Sequence, residues 1–114
     1  MNWEIKTTNE YDAWFLEQSE DSQASIRMMV ELLGEYGPLL PRPYADTLKG
    51  SHLNNLKELR TQTEKHVFRI AFLFDEKRKA VLLIGGDKKG KNETKFYENL
   101  IKQAEEIYQQ YRDR

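Results

Sequence analysis

Three segments in the second half of the chain have the hydrophobic pattern of β-strands. They cover residues 56–61, 66–74 and 80–84. In the second segment, apolar residues recur at every other position from Phe68 to Phe74, which is the period of a strand with one buried face. The third segment is apolar on both faces, as is typical of a covered or central strand. We therefore predict an antiparallel unit of three strands, the first two joined by a hairpin that turns at Glu64 and Lys65.

Helical patterns lie on both sides of this unit. A short helix is predicted after residues 8–10, and a second one after a cap near Ser19. The second helix carries one apolar stripe, made of Ile26, Met29, Val30 and Leu33. A final helix is predicted after Asn92, which can cap it. Its stripe consists of Phe96, Leu100, Ala104, Ile107 and Tyr111. Stripes of this kind are typical of helices that pack on a core.

A first strand at Trp3, Ile5 and Thr7 completes the predicted element order. The order is strand, two helices, three antiparallel strands, helix. It indicates a single α+β domain over residues 1–114, and we expect the helices to pack on one face of the sheet.

The predicted hairpin places two arginines together. With the turn at residues 64 and 65, Arg60 lies directly opposite Arg69 on the face that does not carry Phe68 and Ile70. Like charges directly opposite each other destabilise a sheet. Guanidinium groups grip phosphate oxygens in a fixed geometry, so the pair favours an anion site.

The next strand is expected to bring a glycine and a lysine-rich loop to the same place. Pairing Phe72 with Leu82 and Ile70 with Ile84 puts Gly85 opposite Arg69, where a ligand backbone could approach closely. The loop that follows carries Lys88, Lys89 and Lys91, while Lys49 and Lys57 could reach the rim. In the alternative interpretation, Glu58 and Asp87 only neutralise the arginines in a surface network of salt bridges.

The charge distribution supports a localised anion site. The net charge is −1, but residues 1–48 carry 3 basic and 9 acidic groups, whereas residues 49–95 carry 12 basic and 6 acidic groups. This asymmetry is expected of a polyanion site, although a solvated lysine-rich surface would give the same count.

Other kinds of chemistry find less support. The chain has no cysteine, which excludes disulfides and thiolate catalysis and fits a cytoplasmic protein. There is no signal-peptide layout and no apolar run long enough for a membrane span. The glycine-rich loop lacks the spacing of a nucleotide P-loop. His52 and His66 lack metal-ligand spacing, so we predict neither a metal nor a cofactor.

Several spaced motifs resemble the HigB-like branch of the RelE/ParE toxin superfamily. They are residues 44–51, 57–60, 68–70, 85–88 and 95–98. The resemblance extends over essentially the whole chain, and the predicted element order is that of the RelE-like fold.

The resemblance implies a toxin of a type II toxin–antitoxin system with a helix-turn-helix, HigA-like antitoxin. It also implies an mRNA interferase: a metal-independent endoribonuclease that cuts mRNA on the ribosome and so inhibits translation. By the same resemblance, Arg60 and Arg69 would clamp the scissile phosphate. Lys88 would contact the phosphate or transfer a proton, Glu58 would be a second candidate base, and Tyr97 would stack on a base or assist proton transfer. The implied RNA-binding residues are Lys49, Lys57, Lys89, Lys91 and Lys95.

Two alternatives stay open at this point. ParE-type relatives share the fold but inhibit DNA gyrase. A degenerate toxin would act only as an antitoxin-binding module.

Overall fold

The computed structural model describes residues 2–113, so Met1 and Arg114 lie outside the described residues. The strands are β1 (Glu4–Thr7), β2 (Ala45–Thr47), β3 (Lys57–Gln62), β4 (Val67–Phe74) and β5 (Lys79–Asp87). The helices are α1 (Asn9–Leu16), α2 (Glu20–Tyr36) and α3 (Glu93–Arg112), and a short 3₁₀ turn, Gly37–Leu39, follows α2. The side chains of Thr8, Ser19 and Asn92 cap the three helices, as predicted.

The five strands form one sheet in the order β1-β5-β4-β3-β2. β1 runs parallel to β5, and the other neighbours are antiparallel. The predicted α+β class and element order are confirmed. The segment before β3 adds one short strand, β2, at the edge of the sheet.

Helices cover both faces of the sheet, so the prediction that they pack on one face is wrong. On the first face, Leu59, Phe68, Ile70 and Phe72 form a core with Ile26 and Leu33 of α2. On the second face, Ala71, Leu73, Val81 and Leu83 pack against α3. The physical reason is that Ala71 and Leu73, which alternate with the core residues of the first face, are apolar too and give β4 a second face to bury. None of the described helices is both long enough and apolar enough to cross a membrane.

A β-bulge shifts the pairing of β4 with β5. Phe72 lies opposite Leu82, as predicted, but Ala71 lies opposite Ile84 because the register shifts by one residue between Ala71 and Phe72. Arg69 therefore faces Gly86, and Gly85 faces Ile70. The prediction that Gly85 lies opposite Arg69 is wrong, since an extra residue in one strand moves every later pair by one position.

Aromatic rings fill the space over both glycines. A Cβ atom added to Gly85 would lie 2.4 Å from the Trp14 ring, and one added to Gly86 would lie 3.1 Å from the Phe96 ring. These glycines allow side chains of α1 and α3 to pack closely on β5. The sequence predicted that Gly85 would open a gap for a ligand, but the Trp14 ring fills that space.

Gly85→Ala is expected to lower the free energy of unfolding by about 1–3 kcal/mol, the usual cost of overpacking a core. The new methyl group would clash with the Trp14 ring. Chemical denaturation of both proteins measures the difference. Gly50→Ala is not a suitable control because Gly50 has a positive φ angle. Ser25→Ala is the control, because the Ser25 side chain is only partly buried, where it contacts Thr61. It should lower the free energy of unfolding less than Gly85→Ala does. A stability equal to that of the wild type would contradict the packing role of Gly85.

Candidate anion-binding site

Arg60 of β3 and Arg69 of β4 lie directly opposite each other, as the alternation and the turn position predict. Their side chains are 24% and 12% exposed, respectively. Two guanidinium groups so close together and so little hydrated need a counter-charge.

Glu58 supplies that counter-charge from the same face of β3. Its side chain is only 4% exposed. Arg60 donates from Nε and Nη2 to Glu58 Oε2 at 3.0 and 2.8 Å, and Arg69 Nε lies 3.6 Å from Oε1. Burial alone would lower the pKa of Arg60. The hydrogen bond and charge of Glu58, with smaller contributions from Tyr97 and Asp46, raise that pKa overall.

Tyr97, in the first turns of α3, joins the same network. Its hydroxyl donates to Glu58 Oε1 at 2.8 Å and accepts from Arg69 Nε at 3.3 Å. Burial, followed by the hydrogen bond to Glu58, raises the pKa of Tyr97. The hydroxyl is therefore a hydrogen-bond donor at neutral pH, and it connects α3 to the arginine pair.

Asp46 extends the network to the edge of the sheet and was not predicted. It pairs with Glu58 across β2 and β3, and its Oδ2 lies 3.4 Å from Arg60 Nη2 and 3.5 Å from Arg42 Nε. The sequence signal was weak, because recognising Asp46 as a neighbour of Glu58 requires the position of the short strand β2.

Lys88 and Glu93 lie on the opposite side, beyond Arg69. Lys88 Nζ donates to Glu93 Oε1 at 2.6 Å and lies 5.4 Å from the centre of the Tyr97 ring. The hydrogen bond and charge of Lys88 lower the pKa of Glu93, and Arg69 and Arg60 contribute through their charges. Glu93 was predicted only as a first-turn residue of the last helix, although its position soon after the lysine loop was a usable signal.

The other predicted cations have different neighbours from those of the arginine pair. Lys89 Nζ donates to the backbone oxygen of Glu64 at the tip of the hairpin. Lys91 and Lys95 line a groove between α1 and α3. Lys57 pairs with the core residue Phe72, so it starts from the opposite face of the sheet. Lys49 is exposed in the turn after β2.

Asp87 shapes the lysine loop and does not neutralise the arginines. It accepts from the backbone nitrogens of Val67 and Lys89, both at 3.0 Å, and its Oδ2 lies 2.6 Å from His66 Nδ1. Of the two carboxylates in the salt-bridge alternative, only Glu58 contacts the arginines. Within residues 2–113, no group of three His, Cys, Asp or Glu side chains is placed to hold a metal ion.

The role of Asp87 predicts a pH dependence. Burial alone would raise the pKa of Asp87, but the hydrogen bonds from Val67, His66 and Lys89 lower it overall. A carboxyl group with a lowered folded-state pKa stabilises the fold above its unfolded-state pKa, and this contribution is lost as the pH falls through the folded-state pKa. The stability of the wild type should therefore fall below about pH 4 partly through Asp87.

Asp87→Asn should be less stable than the wild type at pH 7 and should lose less stability on acidification. Urea denaturation of both proteins between neutral and acid pH tests this expectation. Parallel pH curves for the two proteins would contradict the assigned role of Asp87.

The combined arrangement is suited to binding an anion. The hydrogen bonds among the described residues use Nε and Nη2 of Arg60 and Nε and Nη1 of Arg69. One terminal nitrogen of each guanidinium group is thus left to donate to a ligand. The two groups already have a fixed orientation, so little ordering is required when a ligand binds.

The fold matches solved RelE toxins. The M. tuberculosis RelBE2 toxin–antitoxin complex contains a chain with a TM-score of 0.60 and 13% identity, aligned over 76% of this chain and 99% of that one. A chain of the archaeal RelE–RelB complex from Pyrococcus horikoshii has a TM-score of 0.58 and 14% identity, aligned over 79% of this chain and 99% of that one. A free mutant of Escherichia coli RelE has a TM-score of 0.59 and 6% identity, aligned over 89% of this chain and 95% of that one. At such low identities these similarities show the fold alone.

Sequence similarity identifies the family. The phage-derived Gp49-like family (DUF891) matches residues 13–109. The Mycobacterium tuberculosis protein named "Putative toxin HigB3" is 40% identical over 95 residues, which are 83% of this chain and 81% of that protein. A second M. tuberculosis protein, "Putative toxin HigB2", is 35% identical over 100 residues, 87% of this chain but only 49% of that protein. The chain therefore belongs to the Gp49-like family and, as its motifs predicted, to the HigB-like toxins, and it has the fold of the RelE toxins.

Proposed function

We propose that this toxin is a metal-independent endoribonuclease that cleaves mRNA on the ribosome. The observation that carries the proposal is the pair of opposed guanidinium groups, held by one buried carboxylate and each retaining a free terminal nitrogen. Such a pair can bind the two non-bridging oxygens of a phosphodiester and stabilise the charge that develops on them during cleavage.

In this proposal Glu58 positions the arginines and does not act as the base. Both of its oxygens accept hydrogen bonds, from Arg60 and from Tyr97. To reach a ribose hydroxyl, Glu58 would have to leave a buried ionic network, which is costly.

Proton transfer is assigned to the more accessible pair, Lys88 and Glu93. The ribose 2′-oxygen attacks the phosphorus, its proton passes to the Glu93 carboxylate, and a cyclic phosphate forms as the bond to the 5′-oxygen breaks. The Lys88 ammonium then gives a proton to the departing 5′-oxygen.

The partner we propose is a cognate antitoxin of the HigA-like, helix-turn-helix type that binds and silences the toxin. Two structural neighbours were solved as toxin–antitoxin complexes, which supports an antitoxin as the partner. Co-expression of the cognate antitoxin should restore growth.

Induction of the wild-type protein should arrest growth and produce discrete new 5′ ends in cellular mRNA. Lys88→Ala and Glu93→Gln should each reduce the number of cuts by about 100-fold, in line with the usual contribution of general acid–base catalysis. Primer extension and 5′-end mapping measure these changes. DNA breaks without mRNA cuts would replace the proposal with a gyrase-directed activity, and the absence of growth arrest would indicate a non-catalytic binding module.

A further inference from the structure

We propose that Tyr44 and Arg42 form an additional nucleotide-binding position next to the arginine pair. In this position a base stacks on the Tyr44 ring, and Arg42 contacts the adjoining phosphate. The inference rests on the proposed function, because it takes single-stranded RNA as the ligand.

The backbone places Tyr44 beside Arg60. Arg60 N donates to Tyr44 O at 2.8 Å, and the next pair along the two strands is Ala45 with Leu59. Ala45 and Leu59 are both buried in the core on the first face. Tyr44 is the turn residue directly before β2, and its hydrogen bond from Arg60 continues the pairing by one residue. The alternation, continued by that residue, puts Tyr44 on the other face, with Asp46 and Arg60.

Tyr44 therefore ends a row that crosses four neighbouring segments of the sheet. The row runs from Tyr44 through Arg60 and Arg69 to Gly86, with neighbouring strands about 4.8 Å apart. At the far end, α3 covers Gly86 with Phe96 and brings Tyr97 to Arg69. The two guanidinium groups thus have a tyrosine on each side.

Tyr97 is held by hydrogen bonds, whereas Tyr44 is accessible to a ligand. The Tyr97 hydroxyl is engaged with Glu58 and Arg69, whereas the Tyr44 side is open, with 42% of the residue exposed. Within the described part of the chain, Tyr44 has no ring–ring or cation–π contact of the kind that Tyr97 makes with Phe96 and Lys88. An exposed aromatic ring beside a phosphate-binding group is the usual arrangement for stacking an unpaired base.

Arg42 adds a cation on the same side. Its side chain is 74% exposed, and it approaches Asp46, the carboxylate that also contacts Arg60. Arg42 is one of only three basic residues in the acidic segment 1–48, and it lies where the row of arginines ends. A strand of RNA that crosses Arg69 and Arg60 would meet Tyr44 and Arg42 next, so backbone charge and base stacking would act together.

The test compares mRNA cleavage by the wild type and by variants at Tyr44, using induction and 5′-end mapping. Tyr44→Ala and Tyr44→Leu should each reduce the number of cuts by about 10-fold or more, the scale expected for losing one stacked base. Tyr44→Phe, which retains the ring, should cut like the wild type. Arg42→Ala should weaken cleavage at all sites by a similar factor. Tyr36→Ala, at another half-exposed tyrosine, at the end of α2, is the matched control and should leave cleavage unchanged.

The outcomes separate this inference from the proposed function. If the wild type cuts mRNA and Tyr44→Ala cuts it equally often at the same sites, the additional binding position is overturned and the proposed function stands. If the wild type makes no cuts, both are overturned. A fall in Tyr44→Phe as large as that in Tyr44→Ala would also overturn stacking, because the ring would then be insufficient. Thermal unfolding of each variant verifies that it is folded, and Tyr44→Leu keeps the bulk of the side chain in case Tyr44→Ala is unstable.

Discussion

Glu58→Ala is expected to lower the free energy of unfolding by about 3–5 kcal/mol, the range measured when one partner of a buried ion pair is removed. The Glu58 carboxylate is the only anion that contacts both Arg60 and Arg69 among the described residues. Without it, two guanidinium groups would face each other across the strands with no shared counter-charge. The Tyr97 hydroxyl would also lose its acceptor.

Urea denaturation of the purified variant measures this loss of stability. Two further variants separate the effect of the charge from that of the side chain's shape and burial. Glu58→Gln keeps the shape but removes the charge, so it should fall between the wild type and Glu58→Ala. Asp46→Ala removes a more exposed carboxylate from Arg60 and should cost no more than about 1 kcal/mol, as is usual for surface ion pairs. If Glu58→Ala and Asp46→Ala were equally stable, Glu58 would not be the centre of the network.

The sequence was sufficient to predict the hairpin that carries the arginine pair. Phe or Ile recurs at every other position from Phe68 to Phe74 of β4, and a short polar turn precedes the strand. Together they favour one register, in which these residues share a face with Leu59 of β3. Arg60 opposite Arg69 follows from that register.

The sequence was insufficient where the structure depends on an irregular or distant feature. The bulge in the β4–β5 pairing leaves no mark in the alternation of a strand that is apolar on both faces. To predict that α3 packs on the second face, one must recognise that Ala71, Leu73 and Val81 form a second core. Asp46 is placed at the site by β2, and the three residues of this strand are too few to show a periodic pattern in the sequence.

Replacing Arg69 should have the largest effect on activity. We expect Arg69→Ala to reduce mRNA cleavage by about 100- to 1,000-fold, the usual cost of removing one donor that stabilises charge in a transition state. Growth arrest on induction should be relieved to the same extent. Arg27→Ala is the matched control, because Arg27 lies on α2 against the Phe15 ring, away from the site.

Arg69→Lys distinguishes geometry from charge. A lysine would retain the positive charge but could not reproduce the contacts of Arg69 with both Tyr97 and the backbone oxygen of Phe68 while also donating to a phosphate. It should therefore cleave nearly as poorly as Arg69→Ala, and 5′-end mapping compares the two. Cleavage restored by lysine would mean that charge alone is required. Arg69→Ala should also lose less stability than Glu58→Ala, since Glu58 keeps its hydrogen bonds from Arg60 and Tyr97. A folded but inactive Arg69→Ala beside a destabilised Glu58→Ala would assign phosphate binding to the arginine and its positioning to the carboxylate.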